Sequence, residues 1–333
     1  MPIDNKSAPA SRLMRMPFVR AFLALLGVMI LGFIFNADGA FDKWATHRDM
    51  LRQVSVVGIL ACGMTLVIIT GGIDLSVGSI LGFSAVLFAE LAIHQGWPAG
   101  AAVMVTLSAG LLFGVVSGGL ISRFRLQPFI VTLAMMVFAR GLAKWISGGQ
   151  KISTAVQQAD GSYHYVEAPP IFDQLSSRIF GGNVAVVTLV LVGCVVICGV
   201  VLAKLRWGRY LYAVGGNEEA ARLAGVPVTG SKLLAYGFSG LLGAVAGICQ
   251  AAQELQGDPE AGGSYELSAI AMVVIGGTSL TGGRGGIGLT LLGCLTIGYL
   301  EKILSINAVS ESARLMLTGA IIVGAVLFQR GKK

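Results

Sequence analysis

Long apolar runs separated by short polar turns occupy nearly the whole chain. Runs at about 18–35, 53–70, 75–94, 99–121, 128–147, 183–203, 231–252, 267–281, 285–304 and 308–329 each approach or reach the roughly twenty apolar residues a helix needs to cross a bilayer. In lipid the backbone must satisfy its own hydrogen bonds, which favours helices over open strands. The pattern predicts an all-α membrane protein, a single polytopic bundle over residues 1–333 with about ten transmembrane helices and a tail at 1–17. The densest polar interruption is Thr70-Gly71-Gly72-Ile73-Asp74-Leu75-Ser76-Val77-Gly78-Ser79, which predicts a broken helix.

Charge sets the expected orientation. The first run follows several basic residues and precedes Ala37-Asp38-Gly39, as a secretory signal would, but with so many further runs it reads as an uncleaved first helix with its N-terminus in the cytoplasm. The cytoplasmic segments then hold Lys6, Arg12, Arg15, Arg20, Arg123, Arg125, Lys204, Arg206, Arg209, Arg222, Lys232, Arg284, Arg330, Lys332 and Lys333. The outer loops hold only Lys43, Arg48, Arg52, Lys151 and Arg178. Basic residues concentrate in cytoplasmic loops, so both termini are expected inside.

Two connections exceed a tight turn. The outer loop, about 148–182, contains Tyr163, Tyr165, Glu167 and Pro169-Pro170, and suits either a docking surface or a plain solvated loop. The cytoplasmic loop, about 204–230, ends in a short predicted helix that Asn217 can cap, Glu218 and Glu219 favour through their charge, and Gly225 can stop. Ala220, Ala221 and Ala224 give that helix small contacts between charges. A helix this short needs a surface to lie on, and its small residues fit a protein better than a headgroup layer.

Asp74 has two readings. A carboxylate at hydrocarbon depth marks function by default, whereas a cap on a helix starting at Leu75 would be structural. Gly71, Gly72, Asp74 and Ser76 are therefore candidates for a translocation path or gate. The stretch from Val67 to Ser76 is echoed by Val273-Val274-Ile275-Gly276-Gly277-Thr278-Ser279-Leu280-Thr281-Gly282, and paired Gly-rich breaks in two halves point to a transport site. Gly276, Gly277 and Thr278 join the candidates on that ground. Arg140 lies about eight residues, roughly 12 Å, inside its run and must face protein, water or a polar solute. Arg314 has the same ambiguity, while Glu90, Lys144, Glu301 and Lys302 sit near run ends and can snorkel.

Composition narrows the classes. Of 333 residues, 55% are hydrophobic and 12% charged, where soluble domains have roughly a quarter charged. The 47 glycines suit close helix packing, with small residues four apart at Gly78/Gly82, Gly110/Gly114/Gly118 and Gly243/Gly247. The net charge of +7 is dispersed beside apolar runs, so nucleic acid is not an expected partner and the lipid bilayer is. Cys62, Cys194, Cys198, Cys249 and Cys294 fall inside apolar runs and read as reduced thiols, and the three histidines form no metal cluster. Gly283-Arg284-Gly285-Gly286-Ile287-Gly288 matches the dinucleotide fingerprint in letters only, since no strand precedes it, and reads as a tight turn. There is no P-loop and no G-x-S-x-G elbow, so neither ATP binding nor an enzyme is expected of this chain, and no cofactor.

Taken with Arg140-Gly141-Leu142-Ala143 and the segment Gly215 to Val226, the 70–79 stretch resembles the ribose/xylose/arabinose-type sugar permease family of bacterial ABC importers over nearly the whole length. The resemblance implies a second permease subunit, expected to be an identical copy, a cytoplasmic ATPase with two nucleotide-binding modules, and a periplasmic sugar-binding protein in the bacterial inner membrane system. It also implies that Glu218, Glu219, Ala220, Ala221, Ala224 and Gly225 couple to the ATPase. A permease for a polyol or a sugar-derived signal is an alternative, and a secondary transporter is a more distant one. A reporter fused after Ala155 is expected outside the cytoplasm; cytoplasmic activity of that fusion would overturn the orientation.

Overall fold

The computed structural model describes residues 16–157 and 161–330. Lys6, Arg12, Arg15, Lys332 and Lys333, which contributed to the charge argument, lie outside the described residues, as does nearly all of the 1–17 tail. The helices are α1 (Pro17–Ile34), α2 (Trp44–Ile69), α3 (Val77–Ala89), which continues as a π-helical turn at Glu90–His94, α4 (Ala99–Arg123), α5 (Pro128–Ser147) and α6 (Pro170–Ser176). They are followed by α7 (Val186–Ala203), α8 (Arg206–Gly216), α9 (Glu218–Leu223), α10 (Val228–Glu254), α11 (Tyr265–Gly276), α12 (Ile287–Ile306) and α13 (Glu311–Arg330). Among the described residues eight helices are long and apolar enough to span a membrane: α1, α2, α3 with its extension, α4, α5, α7, α10 and α12. The chain is thus an all-α polytopic protein; short antiparallel strand pairs occur only in the connections.

The helices sort into inner and outer members. Nearly every residue of α2 from Val54 onward, and almost all of α3, is buried within the chain. By contrast α5 exposes Phe129, Ile130, Val137, Phe138 and Trp145, and α4 exposes Met104 and Leu112. Such apolar faces, costly in water, suit lipid or another membrane helix. Pro128 at the first turn of α5 occupies a position whose amide would have no intrahelical acceptor.

At the centre, α10 packs against α4, α3 and α2. Small residues allow this. A Cβ on Gly114 would overlap the Tyr236 carbonyl, and one on Gly240 would overlap the Gly110 carbonyl. The glycine stripe of α4 therefore faces α10 in backbone-to-backbone contact, the arrangement that replaces the hydrophobic effect in lipid.

The run at 267–281 does not make a full span. It yields α11, twelve residues or about 18 Å. The segment 255–264 before it caps α10 at Leu255, φ 53, and then folds back along α3. Gly257 lies on the backbone around Ala85 and Val86, and Gly262 lies on Gly78. Ile152–Ser153 pairs antiparallel with Gln256–Gly257 and pins the start of this re-entrant segment to the 148–182 loop. That loop is more than a solvated connection: Phe172 on α6 is fully buried and stacks on Phe88 at 4.9 Å. The helix stops at Gly276-Gly277, the second of the paired Gly-rich breaks, with Gly277 as its cap at φ 105.

Gly240→Leu would drive a side chain into the Gly110 backbone and is expected to destabilise the bundle by about 1–3 kcal/mol or more. Gly141→Ala, with no atom within 4 Å of the added carbon, should leave the thermal unfolding of detergent-solubilised protein unchanged.

Candidate functional site

Three interrupted segments meet at one end of the bundle. After Ile69, α2 ends and the chain turns at Gly71, whose φ of 81 lies in the left-handed region open to glycine. The Gly283 amide donates to the Ile69 carbonyl at 2.9 Å, tying the loop after α11 to the end of α2. A Cβ on Gly282 would lie 2.8 Å from the Gly215 carbonyl oxygen and 2.9 Å from the Gly71 nitrogen, and one on Gly215 would overlap the Ile69 carbonyl. The two breaks that echo each other in sequence thus touch, and the end of α8 is the third member of the junction. Tyr212 on α8 adds a hydrogen bond to the Gly285 carbonyl at 3.0 Å. Gly276 packs on the Leu289 backbone, Gly277 ends α11 at φ 105, and Thr278 is fully buried with Oγ1 accepting from the Gly286 amide at 3.4 Å.

From this junction residues 72–76 climb back between α10 and α5. Gly72 lies against the Tyr236 hydroxyl, and the Thr132 hydroxyl donates to the Ile73 carbonyl at 3.4 Å. Asp74 is fully buried. Its Oδ1 accepts from the Ser76 amide at 2.9 Å and the Ser76 hydroxyl at 2.5 Å, and its Oδ2 accepts from the Ser239 hydroxyl at 2.7 Å. Ser239 is eleven residues into α10, about 17 Å from its start, so the carboxylate sits well within the bundle. Asp74 does not cap a helix beginning at Leu75: α3 begins at Val77, and the carboxylate instead closes a turn onto Ser76 and ties it to α10.

The 204–230 connection holds two helices where one was expected. Glycines and aromatic residues give Arg206–Gly216 little intrinsic helix preference, and it forms because Gly208, Leu211 and Val214 are buried against the bundle. Asn217 then caps α9, its side-chain oxygen accepting from the Ala220 amide at 2.9 Å, and Gly225 follows at φ 78. Glu218 bridges Arg222 at 3.1 Å and Lys232 of α10 at 2.7 Å, while Glu219 stands 3.7 Å from Arg222. Ala221 is turned inward on Val214 and Val228 and is no outward contact. The outward face is Glu219, Ala220, Ala224 and Leu223, the last 89% exposed. Leu223 passed unnoticed in the sequence because a lone leucine in a short helix reads as packing. A cavity of about 390 Å³ lies between α9 and the break, lined by Gly71, Gly72, Arg125, Glu218, Lys232 and Tyr236 among others.

Arg140 lies apart from this junction. Its Nη1 donates to the carbonyls of Pro259 and, at 2.8 Å, Ala261, and its Nη2 approaches the Gly78 carbonyl at 3.5 Å. The guanidinium thus satisfies the non-helical backbone of the re-entrant segment, as a polar group inside a membrane protein must. Among the described residues no cluster of His, Cys, Asp and Glu could hold a metal.

A profile of the family described as branched-chain amino acid transport system / permease component matches residues 48–326. The chain belongs to this permease family. The permease is 39% identical over 316 residues, 95% of its length and 92% of the relative's, to the ribose import permease protein RbsC of Bacillus subtilis. It is 35% identical over 304 residues to the fructose import permease protein FrcC of Rhizobium meliloti, 91% of this chain and 83% of that one. It is 31% identical over 362 residues to the xylose transport system permease protein XylH of Escherichia coli, 95% and 92% of the two chains. These relatives bear out the resemblance to sugar ABC importer permeases, and with the eight long apolar helices they make it a multi-pass inner-membrane protein.

In the permease, Ser239→Ala would leave Asp74 Oδ2 without its donor and is expected to cost about 1–3 kcal/mol. Asp74→Ala should lower transport more than it lowers co-purification of the ATPase; wild-type transport would reduce the residue to a turn-former.

Proposed function

We propose that this permease is the transmembrane subunit of an ATP-driven, binding-protein-dependent importer of a monosaccharide of the pentose or hexose class. The observation that carries the proposal is 39% identity to a ribose import permease along 95% of the chain. A separate cytoplasmic ATPase with two nucleotide-binding modules hydrolyses ATP, a periplasmic sugar-binding protein delivers the solute, and a second copy of the permease completes the pathway. The fifteen-to-five distribution of basic residues supports cytoplasmic N- and C-termini.

In that orientation α9 stands at the cytoplasmic end and docks on the ATPase through Glu219, Ala220, Leu223 and Ala224. Glu218, Ala221 and Gly225 hold it in shape. Displacement of α9 then has two routes into the bundle: the Glu218–Lys232 ion pair into α10, and the backbone contacts of Gly215 with Ile69 and Gly282. Gly71, Gly72, Ser76, Gly276, Gly277 and Thr278 form the gate, which can rearrange because all but Gly276, the last residue of α11, lie outside the helices. Asp74 acts as the tie that holds the gate to α10, and Arg140 shapes the path by holding its wall.

The test is ATP-dependent accumulation of radiolabelled D-ribose, D-xylose or D-fructose by proteoliposomes holding permease, ATPase and binding protein, with leucine as control. Leu223→Glu is expected to reduce ATPase co-purification and sugar uptake at least tenfold while the permease still inserts. Normal uptake in that variant would overturn the docking assignment.

A further inference from the structure

One cavity has no part in the junction. It holds about 400 Å³, at the small-ligand end of pocket volumes, and lies beside Arg140 with Ser79, Met136, Val137 and Glu266 in its wall. It opens on the face of α5 that is otherwise apolar, between Val137, 64% exposed, and the re-entrant segment at Gly263. Arg140 is twelve residues into α5, about 18 Å from its start, so the opening lies within the span and not beyond it. Charged groups opening on such a face at that depth are costly in lipid and mark a water-filled or protein-covered passage.

The polar groups divide into those already committed to other residues and those that are not. Arg140 is committed to the Pro259 and Ala261 carbonyls, and Lys144 at the rim is committed to Glu260 at 2.5 Å. Among the described residues the Glu266 carboxylate forms no salt bridge and the Ser79 hydroxyl no hydrogen bond, although Ser79 is only 4% exposed. Glu266 Oε2 lies directly over Gly78, where a Cβ would sit 2.6 Å from it. The wall thus offers a carboxylate that bears no salt bridge, though its own backbone amide and the charge of Arg140 act on it, and an unpaired hydroxyl opposite the apolar Met136 and Val137.

We propose that this cavity is a low-affinity station for a neutral monosaccharide on the translocation path, with Glu266 and Ser79 as its hydrogen-bonding groups and Arg140 as the positioning residue that builds it. The proposal rests on the sugar-permease reading and adds the groups that touch the solute. A carboxylate accepts from the hydroxyls of a sugar, a serine hydroxyl can donate or accept, and the C–H face of the ring rests on Met136 and Val137. Arg140 and Lys144 are balanced by Glu266 and by Glu260, which pairs with Lys144, so the cavity has no net charge with which to select an ion and suits a neutral solute. Two such polar groups give the weak binding that lets a solute leave.

The experiment measures D-ribose, D-xylose and D-fructose uptake by the reconstituted three-component importer beside its ATPase rate. Val137→Trp, which fills the cavity from an exposed position, is expected to lower uptake at least tenfold, and Glu266→Gln at least threefold. Both should keep the ATPase rate within twofold of wild type. Wild-type uptake in both variants overturns the station. A wild-type importer that accumulates none of the sugars overturns the functional reading instead. If Val137→Trp does not insert, Val137→Cys takes its place, since the five native cysteines are buried. It should react with a cationic, membrane-impermeant thiol reagent and lose uptake when it does, and absence of reaction overturns the station.

Discussion

A backbone that leaves the helical conformation inside a membrane protein must find hydrogen-bond partners within the protein, and the architecture of this permease follows from where those partners are. Residues 70–76, 255–264 and 277–286 are all non-helical, and each reaches into the bundle, at Gly72, Gly262 and Gly282 among others. Each has a designated partner: Ser239 and Thr132 hold the first, Arg140 and the strand at Ile152–Ser153 hold the second, and Ile69 with Tyr212 holds the third. Water could satisfy such groups at a surface, but lipid cannot. Thr132, Arg140, Tyr212 and Ser239, polar side chains of the helices, serve this task.

Glycine is the second requirement, and it acts by what it lacks. The junction of Ile69, Gly215 and Gly282 exists because three main chains approach without side chains between them, and the contact of α10 with α4 and α3 is built in the same way. Contacts of this kind place the end of α8 directly on both breaks. The ion pair from Glu218 to Lys232 fastens the same unit to α10, whose middle turn carries Ser239 and through it Asp74. The proposed coupling helix and the proposed gate at Gly71-Gly72 are therefore neighbours in space, although about 150 residues separate them in sequence.

Much of this could be read from the chain. The membrane class, most of the helices, the Asn217 cap, the glycine stripes and the paired breaks all follow from local pattern, because helix length, capping and small-residue spacing are properties of neighbouring residues. Where reading failed, the deciding contact was remote. The run at 267–281 showed the break at Gly276-Gly277 but not why the helix falls short of a full span, which is the fold-back of 255–264 along α3, with Gly262 lying on Gly78. The helix Arg206–Gly216 has little propensity of its own and is made by the surface it lies on.

The sequence by itself determined that the protein crosses a membrane many times, that its helices pack through glycine, and that residues 70–79 break a helix around a buried acid. Only the tertiary structure decided what that acid does. Asp74 could cap a helix, bind a solute or tie two segments together, and local letters cannot distinguish these because the partner that decides, Ser239, is 165 residues away. The same holds for Ala221, whose spacing suits an outward contact but whose neighbours Val214 and Val228 turn it inward. Hydrogen-bond capacity is written in the residue; which partner uses it is fixed by the path of the chain.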